Sequence, residues 1–202
     1  CNTPSETFFV CSTGRIGEEL PMQKIRKGIK DAATNLGSTK EHGLNTAKAI
    51  LTSDTKEKMI TVKIPHLHTV DKASDLDFIT ISGIAKGAGM IQPNMATMLA
   101  FIATDADISK TLLQKILAEV VELSFNAITV DGDMSTNDTV MLLANGEASN
   151  QSIQPGTPDA DAFAQALRTI CDYLVKELVK DAEGSSKVFS VRIEGAQNTA
   201  DA

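Results

Sequence analysis

Apolar residues recur along this chain with two different periods, and the alternation between the two predicts its architecture. Leu112, Leu113, Ile116, Leu117, Val120 and Val121 follow helical spacing, and Phe163, Leu167, Ile170, Leu174 and Leu178 form a cleaner stripe of the same kind. Each stripe is the face a helix turns toward a core. Asp107 or Ser109 is placed to accept the free N–H groups at the start of the first of these helices. Pro21 opens a third candidate helix, and residues 41–51 predict a fourth. Stretches rich in Val, Ile, Phe and Thr predict strands at residues 7–11, 59–64, 77–84, 98–103, 127–130, 139–143 and 188–193. Residues 150–159, with Pro155, Gly156 and Pro158, read as a surface loop, and no internal repeat is visible. The pattern supports an α/β protein with helices covering a sheet. Strands following closely on either side of residue 97 favour a mixed or antiparallel sheet.

A length of 202 residues suits one domain with a sizeable core, so no second domain is required. Nineteen Lys and Arg against 26 Asp and Glu give a net charge of −7, which argues against a general nucleic-acid surface. The densest basic run, residues 24–30, reads as the solvated side of a helix. Cys1, Cys11 and Cys171 are too few and too scattered for a disulfide framework or a paired-ligand zinc site, so a reduced, cytosolic setting fits best. His66 and His68 lack a nearby Cys or His to complete a tetrahedral metal site and are expected in a loop or at an edge. No continuous apolar run is long enough to span a bilayer, and the first residues lack the basic and apolar regions of a signal peptide.

The most chemically suggestive stretch is residues 86–106, KGAGMIQPNMATMLAFIATDA. On its own it reads as turn glycines at Gly87 and Gly89, a solvated charge at Lys86 and a buried strand from Met98 to Ile102. It also sets a hydroxyl, Thr97, directly after a small residue, Ala96. A threonine hydroxyl is a weak nucleophile until a base lies beside it, and the residue's own α-amine becomes such a base once it is a chain terminus. That amine titrates at about 7.7–8.0, whereas the same nitrogen in an amide is not basic. Cleavage between Ala96 and Thr97 would therefore create a nucleophile and its base together.

This stretch resembles the self-cleavage site of the ornithine acetyltransferase (bifunctional glutamate N-acetyltransferase) family of arginine biosynthesis, whose motif has the form KGxGMIxPNMATML. CSTGRIGEELPM at residues 11–22 and ILTSDT at residues 50–55 resemble that family's CSTGxIGxxLPM and ILTTDT blocks. AITVDGDMSTNDTVMLLAN at residues 127–145 is similar to its RITVDGDTSTNDTVLLLAN block, departing at Ala127 and Met134. DAEGSSK at residues 181–187 resembles DGEGATK, with Ala182 where glycine is usual. Family members also carry an NSGNAN-type motif before these blocks and a DPNWGRI-type motif after them. The chain is therefore expected to be a single-domain central piece, residues 1–202, of a larger enzyme: residues 1–96 the end of an α subunit and residues 97–202 the start of a β subunit.

The resemblance implies a layered α-β-β-α sandwich like that of self-processing N-terminal-nucleophile enzymes, and an acetyl transfer from N-acetylornithine to glutamate through an ester on Thr97. Thr13 and Gly14 match the family's oxyanion-hole positions. Thr52 (with Ser53 as an alternate register), Lys86 and Glu183 match its substrate-binding positions, the lysine for a substrate carboxylate and the glutamate for the ornithine ammonium. No cofactor or metal is implied. The carboxylates of the 131–138 stretch are expected to hold turn backbone and brace the sheet rather than bind a cation. The family pattern further implies small-molecule partners, acetyl-CoA as a donor left open, paired α and β cleavage products in a heterotetramer, and a cytoplasmic or mitochondrial-matrix setting. The alternatives are a self-processing aminopeptidase or amidase, and an uncleaved, inactive precursor fragment.

Overall fold

The computed structural model describes residues 4–14, 17–65, 78–92, 98–198 and 201. Two helices, α1 (Met22–Thr34) and α2 (Lys40–Ala49), precede a four-stranded sheet made of β1 (Lys58–Pro65), β2 (Phe78–Lys86), β3 (Leu99–Thr104) and β4 (Thr139–Ala144). The strands lie in sequence order. β1, β2 and β3 are antiparallel to one another, and β3 and β4 are parallel. A parallel pair needs a crossover, and α3 (Lys110–Glu122) supplies it. A long helix, α4 (Pro158–Lys180), follows. The mixed α/β class read from the sequence is the class observed, with one sheet among the described residues.

Local chemistry accounts for the helix starts. The Ser109 hydroxyl accepts the Leu112 N–H to cap α3, and the Thr157 hydroxyl accepts the Ala160 N–H ahead of Pro158. Every member of the stripe Phe163, Leu167, Ile170, Leu174 and Leu178 is fully buried, and Leu112, Ile116, Leu117 and Val120 of α3 are buried nearly as deeply. Both helices pack on the sheet face presented by Ile79, Ile81, Ala85, Ala100 and Ile102. On that face Gly83 lets α4 approach closely: a Cβ there would sit 2.9 Å from Ile170 Cγ2 and 3.1 Å from Leu174 Cδ1. Successive side chains alternate across a strand, so Ser82, Ile84 and Lys86 belong to the opposite face.

Three expected strands do not form. Residues 7–11 and 188–193 are irregular and largely exposed, with Phe9 72% and Phe189 84% accessible, because a strand needs a neighbour's backbone groups and neither segment has one among the described residues. Around residues 127–130 a short 3-10 turn at Phe125–Ala127 leads into an unpaired extended stretch whose Val130 N–H donates to Ile91 O. α1 buries no residue, as its basic run suggested. His66 and His68 lie outside the described residues.

Candidate active site

Three of the expected site residues, Thr52, Lys86 and Glu183, lie at the C-terminal end of β2. Lys86 pairs in register with Leu99 of β3, which brings the lysine beside the strand that begins just after Thr97. Thr97 and Ala96 themselves lie outside the described residues. Lys86 is not the solvated charge its sequence context suggests; it is 1% exposed. Its Nζ donates to Thr52 Oγ1 at 3.1 Å, and no carboxylate among the described residues forms an ion pair with it. Burial pulls its pKa below the usual lysine value, while the charges of Asp54 and Asp138 partly restore it. A buried cation without a paired anion is an unfinished interaction.

Glu183 reaches the same end of β2 by another route. Its N–H donates to Ala88 O at 2.7 Å, and its carboxylate packs over Gly89, where a Cβ would sit 3.2 Å from Glu183 Cδ. Gly89 thus owes its place to a close approach. The left-handed φ values fall instead at Gly87 (148°) and, unusually for a side-chain-bearing residue, at Met90 (57°).

A buried triad that sequence reading missed fastens these pieces together. Lys58 Nζ lies 2.6 Å from both Asp54 Oδ1 and Asp181 Oδ2, with all three side chains at most 3% exposed. Asp54 also accepts the Gly87 N–H at 2.6 Å and the Thr52 N–H at 3.2 Å. Asp181 accepts the Thr55 N–H at 3.0 Å and the Thr55 hydroxyl. One lysine therefore ties the 52–55 loop, the end of β2 and the C-terminus of α4, two residues before Glu183. Burial alone would raise both carboxyl pKa values; the N–H donors and the Lys58 ammonium more than reverse it and hold both below the usual range. The available signal was register, since period two puts Lys58 in line with Ile60, Val62 and Ile64 on the core-facing side of β1.

The acid-rich 129–139 block grips the chain on both sides of residues 93–97. Before them, Asp131 accepts the Met90 N–H at 2.6 Å and the Ile91 N–H at 3.0 Å, which holds Met90 in its strained conformation. Burial would raise the Asp131 pKa, and these backbone donors, with the Asp133 N–H, lower it overall. After them, Asp138 Oδ1 accepts the Met98 N–H at 2.8 Å, and the Thr139 N–H donates to Met98 O at 3.2 Å. The carboxylates act on backbone, as expected of them. Thr13, half-buried, and Gly14, exposed, stand in the irregular segment before α1, and neither hydrogen-bonds to the Thr52, Lys86 and Glu183 cluster. Among the described residues Cys11 and Cys171 are free thiols, and burial pushes Cys171 up to about 12.

Similarity to known proteins bears on this arrangement. The chain is 46% identical over 196 residues to the arginine biosynthesis bifunctional protein ArgJ of Lactococcus lactis, covering 96% of this chain and 46% of that protein. It is 47% identical over 195 residues to the mitochondrial ArgJ protein of Neurospora crassa, covering 96% of this chain and 40% of the relative. A crystal structure of ArgJ from Bacillus halodurans aligns with a TM-score of 0.42 at 44% identity, over 43% of this chain and 41% of that one. The chain thus spans less than half the length of these relatives. The ArgJ family model matches residues 1–202, and the chain belongs to the ArgJ family.

Proposed function

We propose that the protein transfers an acetyl group from N-acetylornithine to glutamate in arginine biosynthesis, through an acetyl ester on Thr97. The observation that carries this reading is Lys86: a buried ammonium held by the Thr52 hydroxyl, without an ion-pair partner among the described residues, at the strand end adjoining the Thr97 segment. A substrate α-carboxylate, which both acetylornithine and glutamate carry, is the anion that completes it. Glu183, whose exposed carboxylate lies over Gly89, receives the ornithine ammonium in this reading.

In this reading the Thr97 hydroxyl first attacks the Ala96 carbonyl, and the chain divides between them. The freed α-amine then serves as the base for turnover. Thr13 and Gly14 would donate to the oxyanion, a role in which losing one donor typically costs about 10²–10³-fold in rate. The two cleavage products stay paired as a heterotetramer. The setting is the cytoplasm, or the mitochondrial matrix in a eukaryote. No helix among the described residues is long and apolar enough to cross a membrane.

Intact mass under denaturing conditions, followed by assay of acetylornithine plus glutamate with the full-length protein, tests the reading. Two fragments breaking at Ala96–Thr97 and glutamate-dependent deacetylation are expected, and Thr97→Ala should lose both while Thr97→Ser keeps some of each. Acetyl-CoA in place of acetylornithine decides the second donor. Release of acetate independent of glutamate would mark an amidase, and one uncut, inactive wild-type chain a precursor.

A further inference from the structure

Before cleavage, the Thr97 nitrogen is part of an amide and accepts no proton, so the amine that would serve turnover cannot assist the first attack. The uncut chain needs another base close to Thr97. Asp138 has the position for it. Its Oδ1 accepts the Met98 N–H at 2.8 Å, and that N–H belongs to the amide joining Thr97 to Met98. Bond lengths alone keep the Thr97 hydroxyl within about 5 Å of the Met98 nitrogen. The other oxygen, Oδ2, is shut off from solvent and has no hydrogen-bond partner among the described residues. Leaving a buried carboxylate oxygen without a donor is costly, and such exceptions call for a reason. Asp138 also borders, with Met98, Ser135 and Thr136, a cavity between α3 and the 126–140 stretch.

We propose that Asp138 is the general base of the self-cleavage step, an inference that rests on the self-processing reading above. The Thr97 O–H bond breaks, its proton passes to Asp138 Oδ2, and the hydroxyl oxygen bonds to the Ala96 carbonyl carbon. Asp138 then returns the proton to the Thr97 nitrogen as the carbon–nitrogen bond breaks, which leaves Ala96 esterified to the Thr97 oxygen. Water attacks this ester with the same carboxylate taking its proton, giving the Ala96 carboxylate and restoring the hydroxyl. Burial pushes the Asp138 carboxyl up to about 6, against the opposing pull of the Met98 N–H and the Lys86 ammonium. Lys86 is the charged group acting on it; Gln114 of α3 and Asn126, Ser135 and Thr136 around the cavity do not titrate. A base with a pKa near the working pH transfers protons efficiently.

The test uses full-length protein and follows self-cleavage over time by intact mass at about pH 5 to 8. Wild-type cleavage should rise with pH through a midpoint near the Asp138 value of about 6 and then level. Asp138→Asn keeps an oxygen for the Met98 N–H and removes the proton acceptor, so it should cleave about 10²–10⁴-fold more slowly at an unchanged melting temperature. Asp138→Glu should recover part of the rate. An Asn variant that cleaves at the wild-type rate while Thr97→Ala stays uncut overturns Asp138 as base and leaves the self-processing reading intact. A flat wild-type pH profile does the same without depending on the folding of any variant. Wild-type protein that never cleaves, or a Thr97→Ala variant that does, removes the self-processing reading itself.

Discussion

Replacing Lys58 with methionine is the most informative single perturbation of this fold, because one ammonium serves two buried carboxylates at 2.6 Å each. Methionine keeps most of the apolar stem and deletes the ammonium, with its hydrogen bonds to Asp54, Asp181 and Lys56 O. The carboxylates of Asp54 and Asp181 would then face each other with no cation between them. Breaking a buried ion pair by removing one partner costs about 3–5 kcal/mol. The lower end applies here, since Asp54 retains the Gly87 and Thr52 N–H donors and Asp181 retains Thr55. Urea unfolding at neutral pH should therefore show a loss of about 3 kcal/mol with an unchanged m-value. The pH dependence has a definite sign. In the wild type both carboxyl pKa values lie below their unfolded values, so their stabilisation is fully present above the ordinary aspartate range and lost as pH falls through the folded values. In the variant, burial acts without the lysine to oppose it. Protonation then comes at higher pH and relieves the repulsion, so the gap between variant and wild type narrows on acidification. Adding Asp181→Asn to the variant should restore part of the loss, because only one buried carboxylate is then left without its cation. A loss below about 1 kcal/mol at neutral pH, or a gap that widens in acid, would refute the reasoning.

Two further substitutions test the site and the packing beneath it. Lys86→Met should raise the KM for acetylornithine, yet leave the melting temperature unchanged or slightly higher, because burial lowers the Lys86 pKa and the charged form therefore costs stability in the folded state; a sharp fall in melting temperature with unaltered KM would make the lysine structural. Gly83→Ala should cost about 1–3 kcal/mol in urea unfolding, since the new methyl would meet Ile170 at 2.9 Å and Leu174 at 3.1 Å; a neutral result would show that α4 shifts freely on the sheet.

What was legible in the sequence divides according to whether a residue's partner can be inferred from the local pattern. The α4 stripe and the cap at Ser109 depend on residues three or four apart, and they sit where periodicity puts them. Residues 7–11 and 188–193 have strand composition too, but composition cannot say whether a neighbouring strand exists to pair with, and none does among the described residues. The same division runs through the site. Thr52, Lys86 and Glu183 were singled out by resemblance alone, and their convergence at one end of β2 depends on contacts with long sequence separation: Lys86 with Thr52, and Glu183 with Ala88. What converges them was hidden for a different reason. Lys58 looks like an ordinary surface lysine unless the alternation of Ile60, Val62 and Ile64 is carried one step back, which turns it toward the core and demands that acids meet it there. Asp131 and Asp138 read as a generic acidic turn, although each sits against one flank of residues 93–97. A buried charge is therefore the position where strand register constrains more than composition does: once the alternation turns a charged side chain inward, partners must exist, and the chain segments that supply them are held together there.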